Sequence, residues 1–228
     1  RYVRRLRYIR DLTRAVEELE NTRNSWSSVP NLAIHNERSI PQWRGHMKKL
    51  ILSKNAADIV MFDQQLVQNS LYFYSSLSEL MLRVLGVQVP DCTEIPPTSP
   101  LFSSFPSWFI EDIADFLLFV IRYEPKLING RVSPALVTLL VLPVCAPHFL
   151  SNPYLTAKLI EVIFIVSPQL QKSTKEFYNQ IRTNPLAEKH LAVSLMKLYA
   201  DVEASGSASE FYDKFTIRYH ISVIFKCL

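Results

Sequence analysis

The chain has 228 residues, is 48% hydrophobic and 20% charged, and carries a formal net charge of +4. That balance supports a buried core and excludes disorder, while the charge is too mild to imply a nucleic-acid partner. With only 4 glycines there are few tight turns and no Gly-rich phosphate loop, so an all-helical chain is favoured.

Residues 1 to about 25 show helical periodicity through Val3, Leu6, Ile9, Leu12, Val16 and Leu19. The first half of this segment is basic, with Arg4 and Arg7 among its arginines, and the second half is acidic, with Glu17, Glu18 and Glu20. This order opposes the helix dipole. It reads either as a basic surface for an acidic or phosphorylated partner, or as a solvated face whose arginine stems lie on the core. Residues 24–39, which include Pro30, are expected to form a polar connection, and Ile40-Pro41 leads into a segment with Trp43, Met47, Leu50 and Ile51. A long helix is predicted from about Ala56 to Leu85, ended by Gly86. Pro90, Pro96, Pro97 and Pro100 make residues 90–106 a linker or crossover. The expected division is therefore 1–89, 90–106 and 107–228.

From Phe105 onward, Ser133-Pro134, Asn152-Pro153, Ser167-Pro168 and Asn184-Pro185 each pair a capping residue with proline. Such pairs start helices, because the side chain accepts from free first-turn N–H groups and proline has none to lose. The apolar blocks between them must be buried by neighbours. The predicted fold is all-α, an irregular armadillo- or HEAT-like helical repeat array and a fragment of a longer solenoid; a globular bundle is the competing architecture. The stretch Ala135–Leu150 carries Pro143, Pro147 and His148 and reads as a core helix, so no membrane span is expected. Ser207 and Glu210 fit a capping box before a last helix that is apolar on nearly every side, and the chain stops at Leu228 inside that pattern. A segment cut from something longer is expected.

No catalytic constellation emerges. The five histidines lack metal-ligand spacing, and Cys92, Cys145 and Cys227 fit no motif. They read as thiols of a reducing compartment, and the apolar surroundings of Cys145 and Cys227 argue against a thioester-forming nucleophile. Glu111 and Asp115 share one helix face and read either as a cation site or acidic docking patch, or as the solvent side of an amphipathic helix. Aromatic residues follow helical spacing rather than alternating with basic ones, so stacking platforms for nucleic acid are not expected. Neither catalytic residues, cofactor nor metal is predicted.

The segment Glu210–Ile221, with Phe211, Tyr212, Asp213, Phe215, Arg218 and Tyr219, resembles the core of the ubiquitin chain-elongation factors, large U-box ubiquitin ligases. The resemblance continues through Ser194–Glu203, Asn152-Pro153-Tyr154-Leu155, Ala157–Val162 and Ile110–Leu117. It implies a helical scaffold in a ligase that extends ubiquitin chains on already ubiquitinated substrates. In that family a U-box outside this segment recruits the charged ubiquitin-conjugating enzyme. The implied partners also include ubiquitinated substrates, a ubiquitin-selective AAA segregase and ubiquitin-like-domain shuttle factors. The implied location is cytoplasmic and also nuclear. Within the motif, Asn152, Pro153 and Tyr154 are expected to form a helix entry, and Phe211, Tyr212, Phe215 and Tyr219 to pack between helices. Asp213, Lys214, Arg218 and His220 are its polar positions, read as structural pairs or a docking face. On that reading Phe215→Ala would cost roughly 3 to 5 kcal/mol. A helical-repeat adaptor with no ubiquitin role fits composition equally well, and an all-helical enzyme with an apolar pocket lacks the polar cluster it needs.

Overall fold

The computed structural model describes residues 2–150, 152–204 and 214–228. The proposed capping box at Ser207 and Glu210, and motif residues Phe211, Tyr212 and Asp213, lie outside the described residues. Eleven α-helices and no strand occur among those described. The chain divides into two compact units, Arg1–Asp63 and Gln64–Leu228.

In the first unit α1 (Tyr2–Asn21) and α3 (Pro30–Met61) pack against each other, joined through α2 (Arg23–Trp26). The pairing is antiparallel. The Tyr2 hydroxyl donates to Asp58 (2.6 Å), and the Thr13 hydroxyl donates to the Met47 sulfur (3.2 Å). Asp58 also accepts from Lys54 (2.5 Å). Burial alone would raise the Asp58 carboxyl, but the Lys54 and Tyr2 hydrogen bonds outweigh it and hold the group below its ordinary value. Trp26 closes the turn, its indole N–H donating to the Leu19 carbonyl (2.7 Å).

Two expectations for this region are corrected. Residues 24–39 are mostly helical, because α3 begins at Pro30 and runs through Pro41. A proline removes one helix hydrogen bond, which a long helix with exposed carbonyls tolerates. The helix expected from Ala56 to Leu85 is two helices, broken at Phe62 and Asp63. The division between compact units falls at that break, and residues 90–106 lie within the second unit.

The second unit is built in two layers. In one, α4 (Gln64–Val84) packs on α7 (Pro134–Cys145), and α7 on α10 (Ala192–Ala204). In the other, α6 (Trp108–Tyr123) packs on α8 (Pro153–Ile165), and α8 on α11 (Lys214–Phe225). Contacts of α7 with α8 and α10 with α11 join the layers, as does the Tyr74 ring against Phe116 (5.0 Å). Successive helix pairs stacked this way are the unit of an armadillo- or HEAT-like array. The array is irregular. Short α5 (Pro100–Ser103) and α9 (Lys175–Arg182) interrupt it, and a π-helical turn at Ala187–Leu191 leads into α10.

α7 is the centre of the core: every residue from Ala135 to Cys145 is buried. It is a core helix, as its prolines led one to expect. Ser133 caps it by accepting from the Leu136 N–H (3.2 Å). The Asn184 amide then ties α7 to the start of the α10 segment. Its nitrogen donates to Thr138 (2.9 Å), and its oxygen accepts from the N–H groups of Leu186 and Ala187 (3.1 and 3.2 Å). α4 ends in the glycine cap the sequence anticipated. Gly86 has φ +72°, its N–H donates to Arg83, and the Val87 N–H reaches back to Leu82, the paired bonds of a Schellman motif. Ser167-Pro168 is not a helix start. Ser167 sits in a turn with its hydroxyl buried and unpartnered, and α9 begins at Lys175. Helix α11 runs to Phe225, and the N–H groups of Lys226, Cys227 and Leu228 donate back to Val223 and Ile224.

Candidate functional site

Charged and motif residues are carried by a run of neighbouring helices, α6 on α8, α8 on α11 and α11 on α10. Helical spacing puts Glu111 and Asp115 on one face of α6, and α8 packs against α6 with Lys158 opposite them. The Lys158 ammonium bonds Glu111 Oε1 (2.8 Å) and Asp115 Oδ1 (2.9 Å) at once. Farther along the same pair of helices, Arg122 meets Glu161 at 2.8 Å. Burial works to lower the Lys158 ammonium, but the hydrogen bonds and charges of the two carboxylates overcome it and raise its proton affinity. The carboxylate pair is therefore neither an idle solvent face nor an open cation site. It is one half of a cross-helix clasp. Lys158 and Glu161 stand inside the sequence motif, yet local periodicity gave no sign that their partners lie 47 and 39 residues upstream.

Asn152, Pro153 and Tyr154 open α8. The Asn152 side chain accepts from the Tyr154 N–H (3.0 Å), and Pro153 takes the first helical position. The three line one side of a groove of about 560 Å³ that Phe102, Phe105, His148 and Phe149 also line. Phe102 meets Phe149 edge-on at 5.5 Å. The groove's lining is as polar as it is apolar, with Ser103, Ser107 and Asn152 beside the phenylalanines.

On α11, Arg218 lies over the Tyr199 ring (4.4 Å to its centre) and its guanidinium donates to the Tyr199 hydroxyl (2.9 Å). His220 is buried and stacked on Phe164 at 3.9 Å. Tyr219 touches Phe164 edge-on at 5.7 Å while remaining 58% exposed. The expected packing role of Phe215 is corrected: its side chain is 86% exposed. The buried face of α11 is instead Ile217, Ile221 and Ile224, with Val223 beside them. Apolar residues on nearly every side of a helix do not fix which side its neighbours cover.

Burial pushes the Cys145 thiol up to about 12, and burial also raises the Cys92 thiol. Among the described residues no group of three His, Cys, Asp or Glu is placed to hold a metal ion, and no helix is long and apolar enough to cross a membrane. Arg4 and Arg7 lie in the first unit, both exposed. What the second unit's arrangement can do is hold helices in fixed register and offer grooves and charged faces.

Residues 1–228 match the family described as ubiquitin elongating factor core. The chain is 30% identical to the probable ubiquitin conjugation factor E4 of Arabidopsis thaliana over 74% of its own length and 16% of that protein. It is 31% identical to the E4 ubiquitin-protein ligase UFD2 of Saccharomyces cerevisiae over 54% of its length and 13% of that protein. It is 25% identical to the ubiquitin conjugation factor E4 ufd-2 of Caenorhabditis elegans over 94% of its length and 21% of that protein. The chain thus spans about one fifth or less of these curated relatives. No solved structure matches it.

Proposed function

The chain belongs to the ubiquitin elongating factor core family, and from that membership we propose that it is a frame segment of a ubiquitin-protein ligase. The ligase extends ubiquitin chains on substrates that already carry ubiquitin. In this reading a U-box elsewhere in the whole protein binds the charged ubiquitin-conjugating enzyme. A lysine of the substrate-linked ubiquitin attacks the thioester, an isopeptide bond forms, and the conjugating-enzyme thiol leaves. The segment's part is positional: it keeps substrate and partners at a set distance and angle from the U-box, which converts an encounter in solution into a step within one complex.

The observation that carries the proposal is the α6–α8 clasp. Lys158 joins Glu111 and Asp115, and separately Arg122 joins Glu161, across the two helices. Charge spent that way fixes geometry, and the protonated, buried Cys145 leaves covalent relay through that thiol unfavourable. The grooved face near Asn152–Tyr154 supports a partner-holding role. The AAA segregase and ubiquitin-like-domain shuttle factors are the partner classes this reading assigns to the whole protein, acting in the cytoplasm and nucleus.

The test is ubiquitin-chain formation in vitro by the whole protein, given a charged conjugating enzyme and a mono-ubiquitinated substrate, beside the U-box portion alone. Substrate elongation by the whole protein, with free-chain synthesis only by the U-box portion, supports the frame role. No elongation by the whole protein with several conjugating enzymes would sink it and favour a helical adaptor without a ubiquitin role.

A further inference from the structure

Antiparallel pairing in the first unit sets the first half of α1 beside the last half of α3. The Arg5 guanidinium crosses between them to the Ser53 carbonyl (2.9 Å), and the Tyr8 ring meets His46 edge-on at 5.6 Å. Residues 2–14 and 48–58 together hold eight lysines and arginines against two carboxylates. Both carboxylates are engaged: Asp58 by Lys54 and Tyr2, and Asp11 by Arg10 at 3.9 Å. Among the described residues no carboxylate forms an ion pair with Arg4, Arg5 or Lys49.

These cations share a face with apolar surface. Arg4 and Tyr8 are four apart on α1 and neighbours on its surface. On α3, His46, Lys49, Ser53, Ala56 and Val60 follow one helical stripe. Lys49, Ala56 and Val60 are exposed, as are Arg4 and Tyr8. A basic rung at Arg4, Arg5 and Lys49 therefore continues into an apolar step at Ala56 and Val60. We propose that this face docks an acidic amphipathic helix of a partner protein, with its carboxylates on Arg4, Arg5 and Lys49 and its apolar side on Tyr8, Ala56 and Val60.

The chemistry selects that occupant. Arginine matches a carboxylate with a two-pronged fork, and the aliphatic step matches the i, i+3, i+4 anchors of a helix laid against a helical pair. A membrane surface fits less well, because interfacial helices present Trp and Phe, whereas Trp26 is buried and Trp43 and Phe62 are half-buried. Nucleic acid fits less well because it needs open stacking platforms, and the Tyr8 ring is turned edge-on to His46.

The test titrates the whole 228-residue chain against four labelled probes. These are an amphipathic peptide of about 18 residues with Leu on one side and Glu on the other, its Lys-for-Glu twin, phosphatidylserine vesicles, and polyuridine. The Glu peptide should bind more tightly than the others, and its affinity should fall about tenfold or more between about 50 and 300 mM salt. Combined Arg4→Glu and Lys49→Glu, both exposed and without a structural tie, should weaken binding at least about tenfold with helicity and melting unchanged. Arg38→Glu, exposed on α3 well away from this end, should leave it as it was. The proposal is overturned if the Lys twin, the vesicles or polyuridine bind as tightly as the Glu peptide, or if Arg38→Glu weakens binding as much as the double reversal.

Discussion

Asn184 holds three partners with one amide: the Thr138 hydroxyl and two backbone N–H groups. Removing it orphans buried donors and a cap together. Asn184→Ala should therefore lower stability by about 2 to 4 kcal/mol in denaturant melts, while Asn184→Asp, which keeps the cap acceptor, should lose less. Phe215→Ala should cost under about 1 kcal/mol, as surface substitutions do, because the ring is 86% exposed. Ile224→Ala, on the buried side of the same helix, should cost about 2 to 5 kcal/mol by truncating the core. Equal losses for the two would show that both faces of α11 are covered. Cys145 gives a third expectation. Its thiol is raised by burial from 9.0 to about 12, so the unfolded chain loses this proton first. The stability it supports is whole below about pH 9 and drains away as pH rises toward about 12. Thiol alkylation at pH 8 should spare Cys145 in the native chain and reach it in denaturant.

Among the elements, those announced by local chemistry could be read directly. Ser133, Asn152 and Asn184 before proline mark true helix starts, since the cap needs only the residue itself and the next turn. The same signal misleads at Ser167, whose hydroxyl is buried without a partner while the backbone turns. The break at Phe62 and Asp63 left no trace because Ile59, Phe62 and Leu66 keep the helical period across it. The π-helical turn at Ala187–Leu191 has no residue signature. The clasp between α6 and α8 was half legible: spacing paired Glu111 with Asp115, and only the fold supplies Lys158. Lys158 is raised above its ordinary value, so its contribution is full below the unfolded value of 10.5 and lost as pH passes the folded one. The stability gap between the native chain and Lys158→Met should accordingly hold steady through neutral pH and close above about pH 10.5.

At the scale of the whole molecule, composition and the spacing of capped helices pointed to an all-helical array, and the two layers α4, α7, α10 and α6, α8, α11 realise it. The resemblance seated in Asn152–Leu155 and the last helix named the family that the comparison of the full chain supports. The prolines of 90–106 read as a linker or crossover, and that stretch lies within the second unit. There the strap is tied down instead: Glu94 pairs with Lys189, and the Thr93 carbonyl lies 3.2 Å from His190.

If the segment works as a frame, a break in its charge clasp must degrade elongation without touching the chemistry at the U-box. The measurement is substrate-chain elongation by the whole ligase carrying Lys158→Glu, set beside a swap that adds Glu111→Lys and Asp115→Lys. Free-chain synthesis is followed in parallel. The frame account predicts shortened substrate chains with Lys158→Glu, recovery in the swap, and unchanged free-chain synthesis in both. Full-length substrate chains from Lys158→Glu, in a protein whose melting point shows the clasp has been lost, would contradict it.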